Sequence, residues 1–364
     1  MRKPFLHRFA AFAALFLSPL LRAAPATQPF HRTGPFLLGA DISWVQEDEA
    51  DAATYYDHGK KEDVFRILKD HGFNAIRLRV FVDPASPKGY AVTSKEAFCD
   101  LAHTLVMAKR AHDAGMSLLI DLHYSDTWAD PGKQAKPAAW EKLDFPALKK
   151  AVYDHTHKVL AALKDQGTTP QMVQIGNEVS NGMLWPDGST KTHFDQFADL
   201  LKSGIKAARD VDPSIKIVLH TDKGSNDPVA RRWVENLVSR SVQPDIIGLS
   251  CNGTNPPEKW NETFDDLAKR FPQFGLIASE YGYHKRELND IVFNAPDHHG
   301  IGTFIWEPTR HHEALFDQEG RNAGDGGPKP PNSVAGHNTR TGRFDTNDLI
   351  NLYDKMSKDF GNDR

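Results

Sequence analysis

Cysteine is nearly absent: Cys99 and Cys251 are the two in 364 residues. Two thiols make no disulfide framework. A chain of this length can rely on its own core, so one bridge is neither required nor excluded. An excess of one charge is lacking too. With 44 Lys and Arg against 48 Asp and Glu, the formal net charge is −4, and nothing marks an electrostatic nucleic-acid binder. Beyond residue 26 no apolar run approaches the roughly 20 residues that cross a bilayer, so no membrane span is expected.

The longest apolar run lies at the start. Arg2, Lys3 and Arg8 make a basic head, residues 9–21 are apolar, and Ala24-Pro25-Ala26 offers small residues for cleavage. This is the pattern of a secretory signal peptide over residues 1–26, cut after Ala24 or Ala26. The expectation is a secreted protein, extracellular or periplasmic, with one domain over residues 27–364.

That domain alternates short apolar runs with amphipathic stretches. The runs are 37–42, 75–82, 117–122, 172–176, 216–219, 245–249, 275–278 and 301–305. Helical patterns fall at 62–71, 95–114, 145–166, 194–208, 228–239 and 264–271, with a last one at 347–360. Gly72, Gly115 and Gly167 each follow a helical stretch, where a left-handed cap suits glycine. Eight strands alternating with helices predict an α/β fold, a single (β/α)₈ barrel. In the second run apolar residues alternate with Arg77 and Arg79. Those arginines should face the barrel interior, where carboxylates must meet them. Residues 318–343 are rich in Gly, Pro, Asn and Asp and read as a long loop. Asp317, Glu319, Asn322 and Asp325 offer oxygen ligands there, without EF-hand spacing. They leave a structural calcium open, while the chemistry itself needs no metal or other cofactor.

Polar residues gather where the apolar runs end: Asp41, Arg79, His123, Asn177-Glu178, His220, Glu280 and Trp306. Each alone is ordinary. Together they mark the carboxyl end of the strands, where barrel active sites sit. Two glutamates facing one cleft suffice to cleave a glycosidic bond: a protonated carboxyl serves the leaving oxygen, and a carboxylate attacks the anomeric carbon. Arg79 beside Glu280 would keep that nucleophile ionised. Glu178, in a drier place near a second negative charge, would keep its proton. Asn177 would donate to the sugar 2-hydroxyl. The seven Trp suit stacking on pyranose faces, although core packing also uses such residues.

Long stretches resemble glycoside hydrolase family 53, the secreted arabinogalactan endo-β-1,4-galactanases. They include Gly39-Ala40-Asp41-Ile42-Ser43, Ile76-Arg77-Leu78-Arg79-Val80-Phe81-Val82-Asp83-Pro84 and Asp121-Leu122-His123-Tyr124-Ser125-Asp126-Thr127-Trp128-Ala129-Asp130-Pro131. Ile175-Gly176-Asn177-Glu178, Leu184-Trp185-Pro186, Trp306-Glu307-Pro308 and Ala314-Leu315-Phe316-Asp317 follow. The resemblance implies acid/base Glu178 on strand four, nucleophile Glu280 on strand seven, and net retention. It adds Asp126, Trp128 and Trp185 to the candidate substrate-binding residues. Two segments depart, and one of them, after Glu280, reads Tyr281-Gly282-Tyr283-His284 where the family tends to have an aromatic and Pro. The family carries Tyr-Tyr-Pro after strand six, and this chain has Cys251-Asn252-Gly253. The tyrosine that would support the nucleophile is missing, and Tyr281 or Tyr283 is the candidate replacement. The expected partner is a polysaccharide, bound by a monomer. The alternatives are the same chemistry on another β-linked glycan, or a carbohydrate-binding barrel without activity.

Overall fold

The computed structural model describes residues 29–94, 96–253, 255–310, 313–319 and 341–362. The leader pattern at 1–26 lies outside them. Eight strands close a parallel barrel: β1 Leu37–Asp41, β2 Ala75–Val80, β3 Ser117–Leu122, β4 Met172–Ile175, β5 Lys216–Thr221, β6 Ile246–Cys251, β7 Gly275–Tyr281 and β8 Gly300–Trp306. Each pairs with its neighbours in chain order, and β8 closes on β1. Helices α1 Val64–Asp70, α2 Leu101–Asp113, α3 Phe145–Asp165, α4 Phe194–Val211, α5 Asp227–Ser239, α6 Pro257–Arg270, α7 Lys285–Phe293 and α8 Asn351–Asp359 follow the successive strands.

The first three of these helices start on a capping side chain. Asp63, Asp100 and Asp144 accept from backbone N–H groups in the first turns of α1, α2 and α3, which satisfies donors that have no partner within the helix. Gly72, Gly115 and Gly167 do take positive φ just past those helices. The seventh helix shows no such signal: it is nine residues long, and His284 before it is left-handed with no side-chain cap.

Strand alternation divides the core in two. Outward residues pack on the helices in one large apolar cluster. Inward residues Ala75, Leu119, Met172, Val218, Ile246, Ile277 and Phe304 form a separate plug. Phe304 fits because Gly39 faces it: a Cβ there would stand 2.3 Å from the ring. The next inward positions along the strands are polar: Asp41, Arg77, Asp121, Gln174 and His220, all buried. Apolar residues thus seal one end of the barrel and leave charged chemistry at the other.

β7 breaks the alternation beside the cleft. Leu249 pairs with Ala278, but Ser250 pairs with Glu280, so Ser279 is surplus in β7. The bulge shifts the faces by one residue. A second, small sheet joins Ala53–Asp57, Lys60–Lys61, Phe316–Gln318 and Gly342–Thr346. The stretch expected as loop therefore begins and ends in strand, since Phe316 and Phe344 pack on Tyr55.

Candidate active site

Arg77 organises the floor of the cleft. Its Nη1 lies 2.7 Å from Asp41 Oδ2 and 2.9 Å from Glu280 Oε1, and its Nη2 lies 2.9 Å from Asp121 Oδ2 and 2.9 Å from Asn177 Oδ1. A guanidinium sealed in a barrel is tolerated when charges and acceptors meet it, and β1, β3 and β7 each supply a carboxylate. Burial alone would raise the Asp121 carboxyl; Arg77 and His123 outweigh it and hold it at about 2. His123 Nε2 is 3.0 Å from Asp121, and its Nδ1 accepts the Ala129 N–H at 3.0 Å. The ring proton therefore sits on Nε2.

Arg79 serves another carboxylate. Its Nη1 lies 2.6 Å from Glu307 Oε1, and its guanidinium stacks between Trp44 and Trp128 at 4.6 and 4.2 Å from the ring centroids. The expected pairing of Arg79 with Glu280 is thus corrected: two indoles and Glu307 hold Arg79, and Arg77 reaches Glu280.

Glu178 stands just past β4. Gly176 (φ 85) and Glu178 itself (φ 47) are left-handed, which turns the chain sharply off the strand. Ser250 Oγ donates to Glu178 Oε1 at 2.6 Å and lies 2.8 Å from His220 Nε2. The Glu178 N–H donates to His220 Nδ1 at 3.3 Å. Burial first, then Arg77, push His220 well below its usual pKa, so the ring is neutral. Burial and the charge of Glu280 push Glu178 up to about 8. Burial raises Glu280 as well, and contact with Arg77 opposes that rise. Near neutral pH the pair holds one proton. It rests on Glu178, because the guanidinium touches Glu280.

The cleft has a volume of about 590 Å³, and Trp44, Trp128, Trp306 and Tyr283 give it aromatic walls. Of the residues expected from sequence, Asp41, Arg79, His123, Trp128, Asn177, Glu178, Glu280 and Trp306 line it. Four do not. Asp126 is a loop organiser that accepts from the Asp83 and Ala138 N–H groups and from Ser86 Oγ. Trp185 is half-buried, with its indole N–H on Asn181 O. His220 lies behind Ser250 and Asn177. Tyr281 faces the helices because of the bulge at Ser279; its hydroxyl is 2.6 Å from Tyr353 and accepts from Asn289. It cannot replace the missing tyrosine, whereas Tyr283 reaches the cleft.

Sequence reasoning missed Trp44 and Ser250 as site residues, while Asn252 and Gly253, legible as a departure from the family, do line the cleft. Trp44 did carry a signal, an aromatic three positions past Asp41. Ser250 carried one too, as a polar residue directly after the apolar run at 245–249. Cys99 and Cys251 are buried free thiols. Of the suggested calcium ligands, Asp317 accepts from Asn347 Nδ2 at 2.9 Å, while Asn322 and Asp325 lie outside the described residues.

A parallel barrel with two coupled carboxylates in an indole-walled cleft, at the carboxyl ends of its strands, defines a glycoside hydrolase. The chain belongs to glycosyl hydrolase family 53, which it matches over residues 37–285. It is 36% identical over 305 residues to the arabinogalactan endo-beta-1,4-galactanase A of Emericella nidulans, across 74% of this chain and 84% of that one. It resembles the solved GH53 catalytic domain of Ignisphaera aggregans with a TM-score of 0.71 at 31% identity, across 78% of this chain and 88% of that one. A structure from work on two fungal beta-1,4-galactanases gives a TM-score of 0.74 at 22% identity, covering 88% and 100% of the respective chains. That last likeness speaks for the fold.

Proposed function

We propose that the protein is a retaining endo-β-1,4-galactanase acting on pectic arabinogalactan side chains, with Glu178 as acid/base and Glu280 as nucleophile. One observation carries the roles: the two carboxyls share a cleft but not an environment. Glu178 is pushed up to about 8, while Glu280 is in contact with Arg77. The first can give a proton when the second can attack.

In the first step Glu280 bonds to the anomeric carbon, the glycosidic C–O bond breaks, and the Glu178 proton goes to the leaving oxygen. In the second, Glu178 takes a proton from water as that water displaces Glu280, which restores both carboxyls and the original anomeric configuration. Asn177 is held through Nδ2 to Ala129 O at 2.9 Å. Its second amide N–H is the donor for the sugar 2-hydroxyl. The galactan substrate is supported by the relatives named above. The apolar leader over residues 1–26 supports export. No helix among the described residues is long and apolar enough to cross a membrane. We take the working unit to be a monomer.

A second reading keeps the chemistry and changes the glycan. Asn252 and Gly253 line the cleft where the family carries tyrosine and proline. The test is incubation of the purified protein with β-1,4-galactan, arabinogalactan and β-glucan. Internal cleavage of galactan, with the β-anomer first in proton NMR, is the expected result. Turnover of β-glucan alone would transfer the activity to the second reading.

A further inference from the structure

We propose that Asp57, His58 and His71 form a binding site for a divalent transition-metal ion, with Zn²⁺ as the best match, outside the catalytic cleft. None of the three lines that cleft. They come from two separate elements. Asp57 ends a strand that pairs with Lys60–Lys61, and His58-Gly59 makes the tight turn between them. Both turn residues are left-handed (φ 46 and 86), the geometry of a two-residue hairpin of fixed twist. His71 caps the carboxyl end of α1 and is buried.

The chemistry of His71 is the central observation. Its Nε2 lies 3.1 Å from Asp57 Oδ1, and its Nδ1 lies 2.9 Å from Asp354 Oδ1, on α8. A neutral imidazole has one N–H, so it can serve one carboxylate as donor. The second contact demands either a further ring proton or a cation between Nε2 and Asp57. His58 brings its Nε2 within 3.8 Å of the same Asp57 oxygen. The three donor atoms all lie within 4.8 Å of one another. Tetrahedral Zn²⁺ with ligand bonds of about 2.0–2.2 Å sets donors roughly 3.3 Å apart. The Asp57–His71 edge already has that length. His58, whose side chain is 59% exposed, can swing to close the others, and its open side admits water as fourth ligand.

The surroundings match a metal site. Asp354 would take the Nδ1–H of His71, the outer carboxylate that orients a ligating imidazole. Thr346 Oγ1 donates to Asp57 Oδ1 at 2.9 Å and steadies that carboxylate. Two imidazoles and one carboxylate select a borderline ion over calcium, which takes oxygen ligands. The ion would clamp the hairpin to α1 and, through Asp354, to α8.

The test uses untagged full-length protein, stripped with EDTA and titrated with ZnCl₂ by calorimetry and thermal melting. The expected result is one Zn²⁺ per chain with a dissociation constant below about 0.1 mM and a rise in Tm that EDTA reverses. His58→Gln, at an exposed turn that should leave the fold intact, should weaken binding at least about tenfold. Asp57→Asn should do the same. Glu178→Gln should bind Zn²⁺ as the wild type does, since its carboxylates belong to the cleft. Absence of Zn²⁺ binding would overturn the proposal. Unchanged affinity in His58→Gln, or loss in Glu178→Gln, would overturn it as well.

Discussion

Arg77 Nη1 and Glu280 Oε1 meet at 2.9 Å inside the barrel. This contact opposes the rise that burial imposes on Glu280. Without the guanidinium the carboxylate would be harder to ionise. Arg77→Met should therefore move the acidic limb of the pH–rate profile to higher pH. It should also cost about 3–5 kcal/mol of stability, because Asp41, Asp121 and Glu280 would lose a shared buried partner. A pH series of kcat/KM with a urea melt measures both. An acidic limb that stays in place would detach Arg77 from the ionisation of Glu280.

Glu280→Gln should abolish turnover and keep binding, since an amide forms no glycosyl ester. The loss should be several powers of ten. Activity above about one tenth of wild type, a loss of less than ~1.4 kcal/mol of transition-state stabilisation, would refute the nucleophile.

Glu178→Ala should harm galactan far more than activated aryl galactosides, whose leaving groups depart without a proton. Azide should restore turnover and yield a β-galactosyl azide. Equal losses on both substrates with no rescue would remove Glu178 from the acid/base role.

Ser250→Ala should act through the same proton. Its hydroxyl donates to Glu178 and favours the ionised form. Removing it should raise the Glu178 pKa further and shift the alkaline limb to higher pH. A limb that moves down, or not at all, would contradict that role.

Tyr281→Phe should leave the pH profile untouched and lower stability by about 1 kcal/mol, the worth of a buried hydrogen bond. The hydroxyl lies between Tyr353 and Asn289. A displaced acidic limb would reopen its link to Glu280.

The barrel was readable because its signals are periodic and local. Apolar runs, glycine punctuation and the inward pair Arg77 and Arg79 each depend on a few neighbouring residues. Glu178 and Glu280 were readable as carboxylates at strand ends. What could not be read depends on geometry between strands. Arg77 and Arg79 look alike in sequence, yet which one meets Glu280 follows from the stagger of strands around the barrel. Trp185 and Asp126 belong to recognisable motifs, and their loops fold them onto backbone groups instead of the cleft. The small sheet was hidden because its strands are short and lie some 260 residues apart, between Ala53–Asp57 and Phe316–Gln318.

Ser279 has a wider meaning than its size suggests. With this residue Glu280 looks into the cleft and Tyr281 looks out; in a strand of strict alternation the two would exchange places. A chain in which β7 ran in strict alternation, with Ser279 taking a regular place in the ladder, would retain every carboxylate and every indole of the site in its composition. It would nonetheless carry Glu280 against the helices and a phenol in the cleft. Reactivity here is thus a matter of parity. Any comparison of relatives that counts identical residues, without asking which side of β7 each one occupies, would judge such a chain active.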